Sequence, residues 1–329
     1  MTDSTDSFTR TSNREPPIVP MPAAPFMPIA PLPASPAWLN VVAYPYRPRL
    51  FDTGEGMLHY VDTGNGPPVV LVHGTPTWSF LYRRLIPPLV AGGHRVIAPD
   101  HLGFGLSQKA GERPTRAGYR PQDHARRLAA LLDELDLHDI TLVVHDFGGP
   151  VGLSYAIAHP ERVARLVIFN TWMWPLDGDV RIARGSRIAS SVLGRLLYLR
   201  LNASPRWLIP AAFADRAKLG PAVHRQYLAP FSTPASRVPL WELARSLLGE
   251  SAWYDALWQQ RARLAEKPAL LLWGLDDPTF GRAYLARWRE ALPHAAVVEL
   301  PGVGHFVQEE AAPAVAEHVM AFLLTTRTG

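Results

Sequence analysis

Short apolar runs recur along the chain from Pro48 onward and alternate with stretches of amphipathic helical pattern. Most of these runs are continuous, which is typical of strands that are covered on both faces. The predicted strands are Met57–Val61, Val69–Val72, Val96–Ala98, Ile140–Val144, Leu166–Phe169, Ala269–Trp273 and Val297–Leu300, and the predicted helices include Gln122–Leu135, Val151–Ala158 and Ala312–Leu324. Strands and helices that take turns predict an α/β fold, with a mostly parallel sheet and helices on both of its faces.

The alternation of strands and helices stops after Phe169 and resumes at Ala269. The residues between them carry helical patterns rich in Trp, Arg and Leu, which predicts an inserted helical cap. We therefore expect a first part of the core at 37–171, a cap at 172–267 and a second part of the core at 268–329.

The first 36 residues differ in composition from the rest of the chain. Nine of the 33 prolines lie between Pro16 and Pro36 and interrupt every apolar run there. Such a segment has no periodic apolar face to bury, so we expect residues 1–36 to form a disordered tail. A secretory signal requires an unbroken apolar stretch, and we therefore expect a cytoplasmic protein.

Composition excludes several kinds of chemistry. The chain has no cysteine, so it carries no disulfide, thiolate metal site or cysteine nucleophile. The net charge of +4 is spread along the chain without a basic cluster, and no apolar stretch reaches the length of a membrane span. We therefore expect neither nucleic acid nor a membrane as a partner.

The segment from Ile140 to Pro150 has the pattern of a nucleophile elbow, in which an apolar strand runs into one reactive residue and then into small residues and a helix. The reactive position holds Asp146, and Gly148 lets the backbone pass closely behind it. Asp146 is therefore our candidate nucleophile. A simpler interpretation is that Asp146 only caps the following helix.

Other strand ends supply the groups that such a nucleophile needs. Backbone N–H groups of Thr75, which follows a strand, and of Phe147 are the candidate oxyanion hole, while His73 is expected to be structural. In this fold the acid comes before the histidine along the chain. Asp277 and His305 follow two later strands in that order, so Asp277 is the candidate acid and His305 the candidate base, with Asp276 as the alternative acid.

At these residues the chain resembles the α/β-hydrolase superfamily and, within it, the haloalkane dehalogenases. The resemblance covers roughly Ala37 to Leu324, and its motifs are His73–Arg83, Pro99–Ser107, His145–Gly149, Trp273–Asp277 and Gly304–Phe306. It implies that Asp146 attacks an sp³ carbon to form an ester, and that His305, oriented by Asp277, activates the water that hydrolyses it. It also implies a small apolar substrate such as a haloalkane, with water as co-substrate and no metal or organic cofactor.

The chain departs from the dehalogenase pattern at the halide site. Dehalogenases usually hold the halide with a Trp directly after the nucleophile, where this chain has Phe147. A second donor is often an Asn at the position of Thr75. Trp78, Trp172 and Trp174 are the candidate indole donors that could replace these groups, although packing alone would also explain them.

Three other functions stay open. Epoxide hydrolases share the Asp nucleophile and use two cap tyrosines, for which Tyr198, Tyr227 and Tyr254 are available. The segment Arg225–Pro239 favours the dehalogenases over them. A relative that binds a small apolar ligand as a receptor or performs cofactor-free oxygen chemistry, and an ester hydrolase, are the remaining alternatives.

Overall fold

The computed structural model describes residues 35–109 and 118–326. The predicted tail of residues 1–36 lies outside this part of the chain, except for its last two residues. The strands of the described residues are β1 (Arg49–Asp52), β2 (Met57–Thr63), β3 (Pro68–Val72), β4 (Arg95–Pro99), β5 (Ile140–His145), β6 (Val163–Phe169), β7 (Ala269–Gly274) and β8 (Ala296–Leu300).

The helices of the described residues lie before, between and after these strands. They are α1 (Ile86–Ala91), α2 (Pro121–Glu134), α3 (Gly148–Ala158), α4 (Val180–Ser190), α5 (Val192–Leu199), α6 (Ile209–Ala212), α7 (Pro221–Leu228), α8 (Val238–Gly249), α9 (Ser251–Gln259), α10 (Ala262–Ala265), α11 (Arg282–Ala291), α12 (Val307–Glu310) and α13 (Ala312–Thr325). Helices α4 to α10 all fall between β6 and β7. We call the residues between those two strands, 170–268, the insertion.

The strands form one sheet in the order β1-β2-β4-β3-β5-β6-β7-β8. Strands β3 to β8 all run parallel to one another. At one edge of the sheet, β2 pairs antiparallel with β4, and β1 pairs antiparallel with β2. The parallel strands bring the loops after β3, β5, β6, β7 and β8 to one edge of the sheet, which we call the carboxyl edge. Open α/β sheets bind their ligands there.

Apolar side chains cover both faces of the sheet, as the continuous apolar runs predict. Along β5, Leu142 and Val144 belong to the core cluster on one face and Val143 to the cluster on the other. The seven predicted strands and three predicted helices are confirmed with small shifts at their ends. Strand β1 was not predicted, because it has only four residues, which are partly exposed and too few to show a pattern.

None of the helices in residues 35–109 and 118–326 combines the length and apolarity needed to span a membrane.

Candidate active site

Asp146 occupies a sharp turn between the buried strand β5 and the helix α3. Its backbone φ is +52°, in the left-handed region that non-glycine residues rarely adopt and that is enriched at functional sites. The backbone of β3 passes close to Gly148, the second residue after Asp146. A Cβ added at Gly148 would lie only 2.2 Å from the carbonyl oxygen of Val72. The elbow predicted from the sequence is therefore present.

The Asp146 carboxylate is held against the loop after β3. The backbone N–H of Thr75 donates to Asp146 Oδ1 over 2.7 Å. This approach needs glycine beside it, since a Cβ on Gly74 would lie 2.2 Å from the same oxygen. Only 7% of the Asp146 surface is exposed. One oxygen is therefore fixed by a backbone donor, while Oδ2 has no part in that bond.

His305 lies between two carboxylates. Its Nδ1 is 2.7 Å from Asp277 Oδ2, and its Nε2 is 3.6 Å from Asp146 Oδ2. Burial alone would lower the pKa of His305, but the charges of Asp277 and Asp146 and their hydrogen bonds outweigh it and raise the pKa to about 10. The structure thus brings together the three residues that the sequence analysis singled out as nucleophile, base and acid.

Asp277 is fixed by donors from two loops. Burial would raise its pKa, but His305 and backbone N–H groups, including that of Thr279, lower the pKa below its usual value. Asn170 Nδ2 also donates to Asp277 Oδ2 over 3.0 Å. The alternative acid, Asp276, is turned away from His305 and accepts instead from the backbone N–H of Gly302.

The residues directly after β6 also belong to the site, although the sequence did not predict them. Asn170 Oδ1 accepts from the backbone N–H of Gly274, so that this side chain joins the ends of β6 and β7 and supports Asp277. The hydroxyl of Thr171 donates to the carbonyl oxygen of Asp146 and braces the elbow. Their place at the end of a central strand is the signal that could have found them.

Two further buried histidines flank the site. His145 Nε2 donates to the carbonyl oxygen of His305, and burial together with the charge of His305 lowers the pKa of His145 to about 3. His73 is structural, as expected: its Nδ1 donates to the carbonyl oxygen of Gly74 and its Nε2 accepts from the backbone N–H of His101. Both histidines therefore hold loops at the carboxyl edge.

Trp172 is the candidate donor that lies next to the elbow. Its ring packs edge-on against Phe147, with the ring centroids 4.8 Å apart. Its Nε1 is buried and has no hydrogen-bond partner among the described residues, and the same holds for the hydroxyls of Thr75 and Tyr254. Tyr254 packs against Trp172, and burial together with the charges of Glu250 and Asp146 raises its pKa. Buried polar groups are normally paired, so unpaired donors here suggest a ligand.

The other two candidate donors are engaged elsewhere. The indole N–H of Trp78 donates to the carbonyl oxygen of Gln226 over 3.0 Å. The ring of Trp174 packs against those of Trp258, Tyr284 and Trp288. The structure therefore shows both side chains in the packing role that the sequence left open.

Within residues 35–109 and 118–326, no cluster of three or more His, Asp and Glu side chains is arranged as a metal site.

A family model described as the alpha/beta hydrolase fold matches residues 67–187 and 191–312. The chain belongs to the α/β-hydrolase fold family. Within this family it is a haloalkane dehalogenase-like hydrolase, because it is 37% identical to haloalkane dehalogenase 2 of Mycobacterium tuberculosis over 84% of this chain and 95% of the relative. The resemblance inferred from the motifs is thus confirmed.

Two further comparisons bear on the reaction. The cis-3-alkyl-4-alkyloxetan-2-one decarboxylase of Shewanella oneidensis is 36% identical over 86% of this chain and 90% of that protein. Among solved structures, the haloalkane dehalogenase DbeA from Bradyrhizobium elkanii superposes with a TM-score of 0.76 and 28% identity, covering 85% of this chain and 98% of DbeA.

Proposed function

We propose that the chain hydrolyses carbon–halogen bonds through a covalent ester on Asp146. The observation that carries this proposal is the orientation of the Asp146 carboxylate. Thr75 N–H holds Oδ1, while Oδ2 faces His305 Nε2 at 3.6 Å. This arrangement leaves Oδ2 to act as the nucleophile and keeps Oδ1 beside a donor.

In the first step, Asp146 Oδ2 attacks the sp³ carbon of a haloalkane. A carbon–oxygen bond forms as the carbon–halogen bond breaks, and the halide departs with the bonding electron pair. A departing anion in a dry site needs a hydrogen-bond donor. The unpaired indole N–H of Trp172, beside Phe147, supports its role as that donor.

In the second step, His305 removes a proton from a water molecule that attacks the ester carbonyl. Formation of the ester removes the negative charge of Asp146, one of the groups that raise the pKa of His305. Loss of this charge lowers the pKa of His305, so that the ring can give up its proton and then accept one from the attacking water. The tetrahedral oxyanion forms on the oxygen that Thr75 N–H already holds, and the Phe147 N–H is the second proposed donor. Collapse of this intermediate breaks the bond between carbon Cγ of Asp146 and the alkyl oxygen, which takes the proton back from His305 and leaves as the alcohol. The proton of the added hydroxyl is released to solvent, and the Asp146 carboxylate is restored.

We further propose that residues 172–267 act as a cap over this chemistry. The insertion is tied to the loop that carries His305, because the backbone N–H of His305 donates to the carbonyl oxygen of Ala212 over 2.9 Å. The carboxylate of Glu310, five residues further on, accepts from the backbone N–H groups of Ala214 and Asp215. Closure of a cap would exclude bulk water and favour apolar substrates.

Opening of a four-membered lactone is the second candidate. The relative named as an oxetan-2-one decarboxylase and the absence of an N–H on the Phe147 side chain both favour it. The same Asp146 attack on the ring carbon that bears the lactone oxygen would break that carbon–oxygen bond and expel a carboxylate, to which the unpaired Tyr254 hydroxyl and Trp172 N–H could donate. Loss of CO₂ from this carboxylate would then form a carbon–carbon double bond as the bond to Asp146 breaks, which gives an alkene and restores Asp146. An epoxide hydrolase would need two tyrosine donors, and because the Tyr227 hydroxyl already donates to Glu309, it would have to use Tyr198 and Tyr254.

The experiment that tests the proposal measures halide release from a panel of bromo- and chloroalkanes, alongside CO₂ release from a cis-dialkyl oxetan-2-one and diol formation from styrene oxide. Halide release is the expected result. CO₂ or diol formation without any halide would assign the site to the lactone or the epoxide instead. Binding without turnover of any substrate would favour the receptor alternative.

A further inference from the structure

The insertion exposes apolar side chains on α5 and on the π-helical turn that follows it, Ser204–Leu208. The exposed fractions are 89% for Val192, 59% for Leu193, 51% for Leu196 and 48% for Trp207. Leu201 and Leu208 are also exposed. Leu197 of α5 lines the same cavity as Trp207 and Leu208, so α5 and the turn lie side by side. A cluster of exposed apolar side chains of this kind marks an interaction site in a folded protein. We call these residues, together with the arginines described next, the basic apolar face.

The charged residues within the segment that carries these side chains are all basic. Residues 180–214 contain six arginines and neither Asp nor Glu. All six are exposed: Arg181, Arg184, Arg187, Arg195, Arg200 and Arg206. Arg181 lies 4.0 Å from Asp179, while Glu242 and Glu250 share a polar cleft with Arg187 at the edge of the face. Arg184, Arg195 and Arg200 form no ion pair with the described residues.

An apolar cavity of about 440 Å³ opens on the same face. Ile188, Trp207 and Leu208, which line it, are also exposed, so they form its rim. Pro278 and Thr279 line it as well. The backbone N–H of Thr279 donates to Asp277 over 2.7 Å, and the cavity therefore reaches the loop that carries the proposed catalytic acid.

We infer that the basic apolar face docks on the surface of an anionic lipid bilayer. Exposed Leu, Val and Trp side chains can enter the boundary between headgroups and acyl chains, while the arginines contact lipid phosphates. A second copy of this chain is a poor occupant, because a twofold contact through this face would set arginines against arginines.

Docking would also bring the cavity rim against the lipid. If the proposed function holds, an apolar substrate dissolved in the bilayer could then enter the cavity without crossing water. Only this delivery rests on the proposed function. The docking itself is tested without substrate, so that the two can fail separately.

The test is flotation of the full chain with vesicles of phosphatidylcholine alone and of phosphatidylcholine mixed with phosphatidylglycerol. We expect binding to the mixed vesicles that weakens as salt is added. The triple variant Arg184→Gln, Arg195→Gln, Arg200→Gln should lower the partition coefficient by about 100-fold, at roughly fivefold per arginine. The pair Leu193→Ser and Leu196→Ser should lower it by about 10-fold.

The control variants carry the same changes at exposed positions far from this face in the sequence. Arg49→Gln with Arg289→Gln, on β1 and α11, and Leu324→Ser, on α13, should leave the partition coefficient unchanged. Equal binding to both kinds of vesicle, or equal losses in control and face variants, would overturn the inference. A dimer seen by light scattering that dissociates only in the face variants would also overturn it, in favour of a second copy.

Discussion

The carboxyl edge of the sheet and the basic apolar face differ in how their side chains are partnered. At the edge, Asp146, His305 and Asp277 are at least nine-tenths buried, and each is held by a neighbouring loop. On the face, Val192 and Leu193 are largely exposed, with arginines around them. The edge is therefore organised before any substrate arrives, whereas the face presents groups whose partners lie outside the chain. Catalysis requires side chains that are held in place before the substrate binds, whereas docking requires exposed side chains that are free to contact a partner.

The largest expected effect on kcat comes from replacing Asp277, the proposed acid at the carboxyl edge. Asp277→Asn should lower kcat by about ten-thousand-fold, because the neutral amide no longer orients and stabilises the His305 imidazolium. Asp276→Asn is the matched control, since the Asp276 carboxylate accepts from the backbone N–H of Gly302 rather than from His305. Steady-state halide release measures both. Equal losses in the two variants would show that the carboxylate nearest His305 has no special role.

A smaller effect tests how closely the edge is packed. Gly74→Ala would place a Cβ 2.2 Å from Asp146 Oδ1, which must move the carboxylate or the loop. We expect about a 100-fold loss of kcat, the usual cost of displacing a reactive group by about 1 Å. Gly249→Ala, in the insertion, has no atom within 4 Å of the new Cβ. It should leave kcat unchanged and stabilise the protein by up to about 1 kcal/mol.

A third change tests the indole N–H of Trp172 as the proposed donor to the departing halide. Trp172→Phe keeps an aromatic ring but removes the unpaired N–H, and we expect about a 10-fold loss in the rate of halide departure. Trp78→Phe removes an N–H that already donates to Gln226, so it should lower the free energy of unfolding by about 1 kcal/mol instead. Pre-steady-state halide bursts and thermal unfolding separate the two outcomes. An unchanged burst in Trp172→Phe would exclude this indole as the donor.

The smallest effect concerns pH. Because the pKa of His305 is raised to about 10, its protonated form stabilises the fold fully below the unfolded value of about 6.5. This contribution is lost as the pH rises through about 10. In Asp146→Asn one of the two charges is gone and the pKa of His305 in the folded state is lower, so the loss should be complete at a lower pH. Unfolding measured across this range, with the His305 ring followed by NMR, checks the shift, and identical curves would contradict it.

The same contrast explains how much of the molecule could be predicted from its sequence. Continuous apolar runs predict the parallel strands, and strand ends then place Asp146, Asp277 and His305 without knowledge of the loops. Asn170 escaped notice because its role depends on a contact with β7, which the sequence does not display. The engagement of Trp78 by Gln226 depends on how the insertion folds back.

The face could not be predicted for a related reason. The apolar residues of α5 form the same pattern whether they enter a core or remain exposed, and only the packing of the insertion decides between these outcomes. The expectation of no membrane partner rested on the lack of a spanning segment, which leaves surface docking untested.

The central claim, a covalent ester on Asp146, is tested most directly by trapping it. His305→Gln should still allow attack by Asp146 but should block hydrolysis of the ester. After exposure to a haloalkane that the wild-type protein turns over, mass spectrometry should show the variant heavier by one alkyl group, located on the peptide that contains Asp146. A variant of unchanged mass, or an alkyl group on any other residue, would contradict the mechanism.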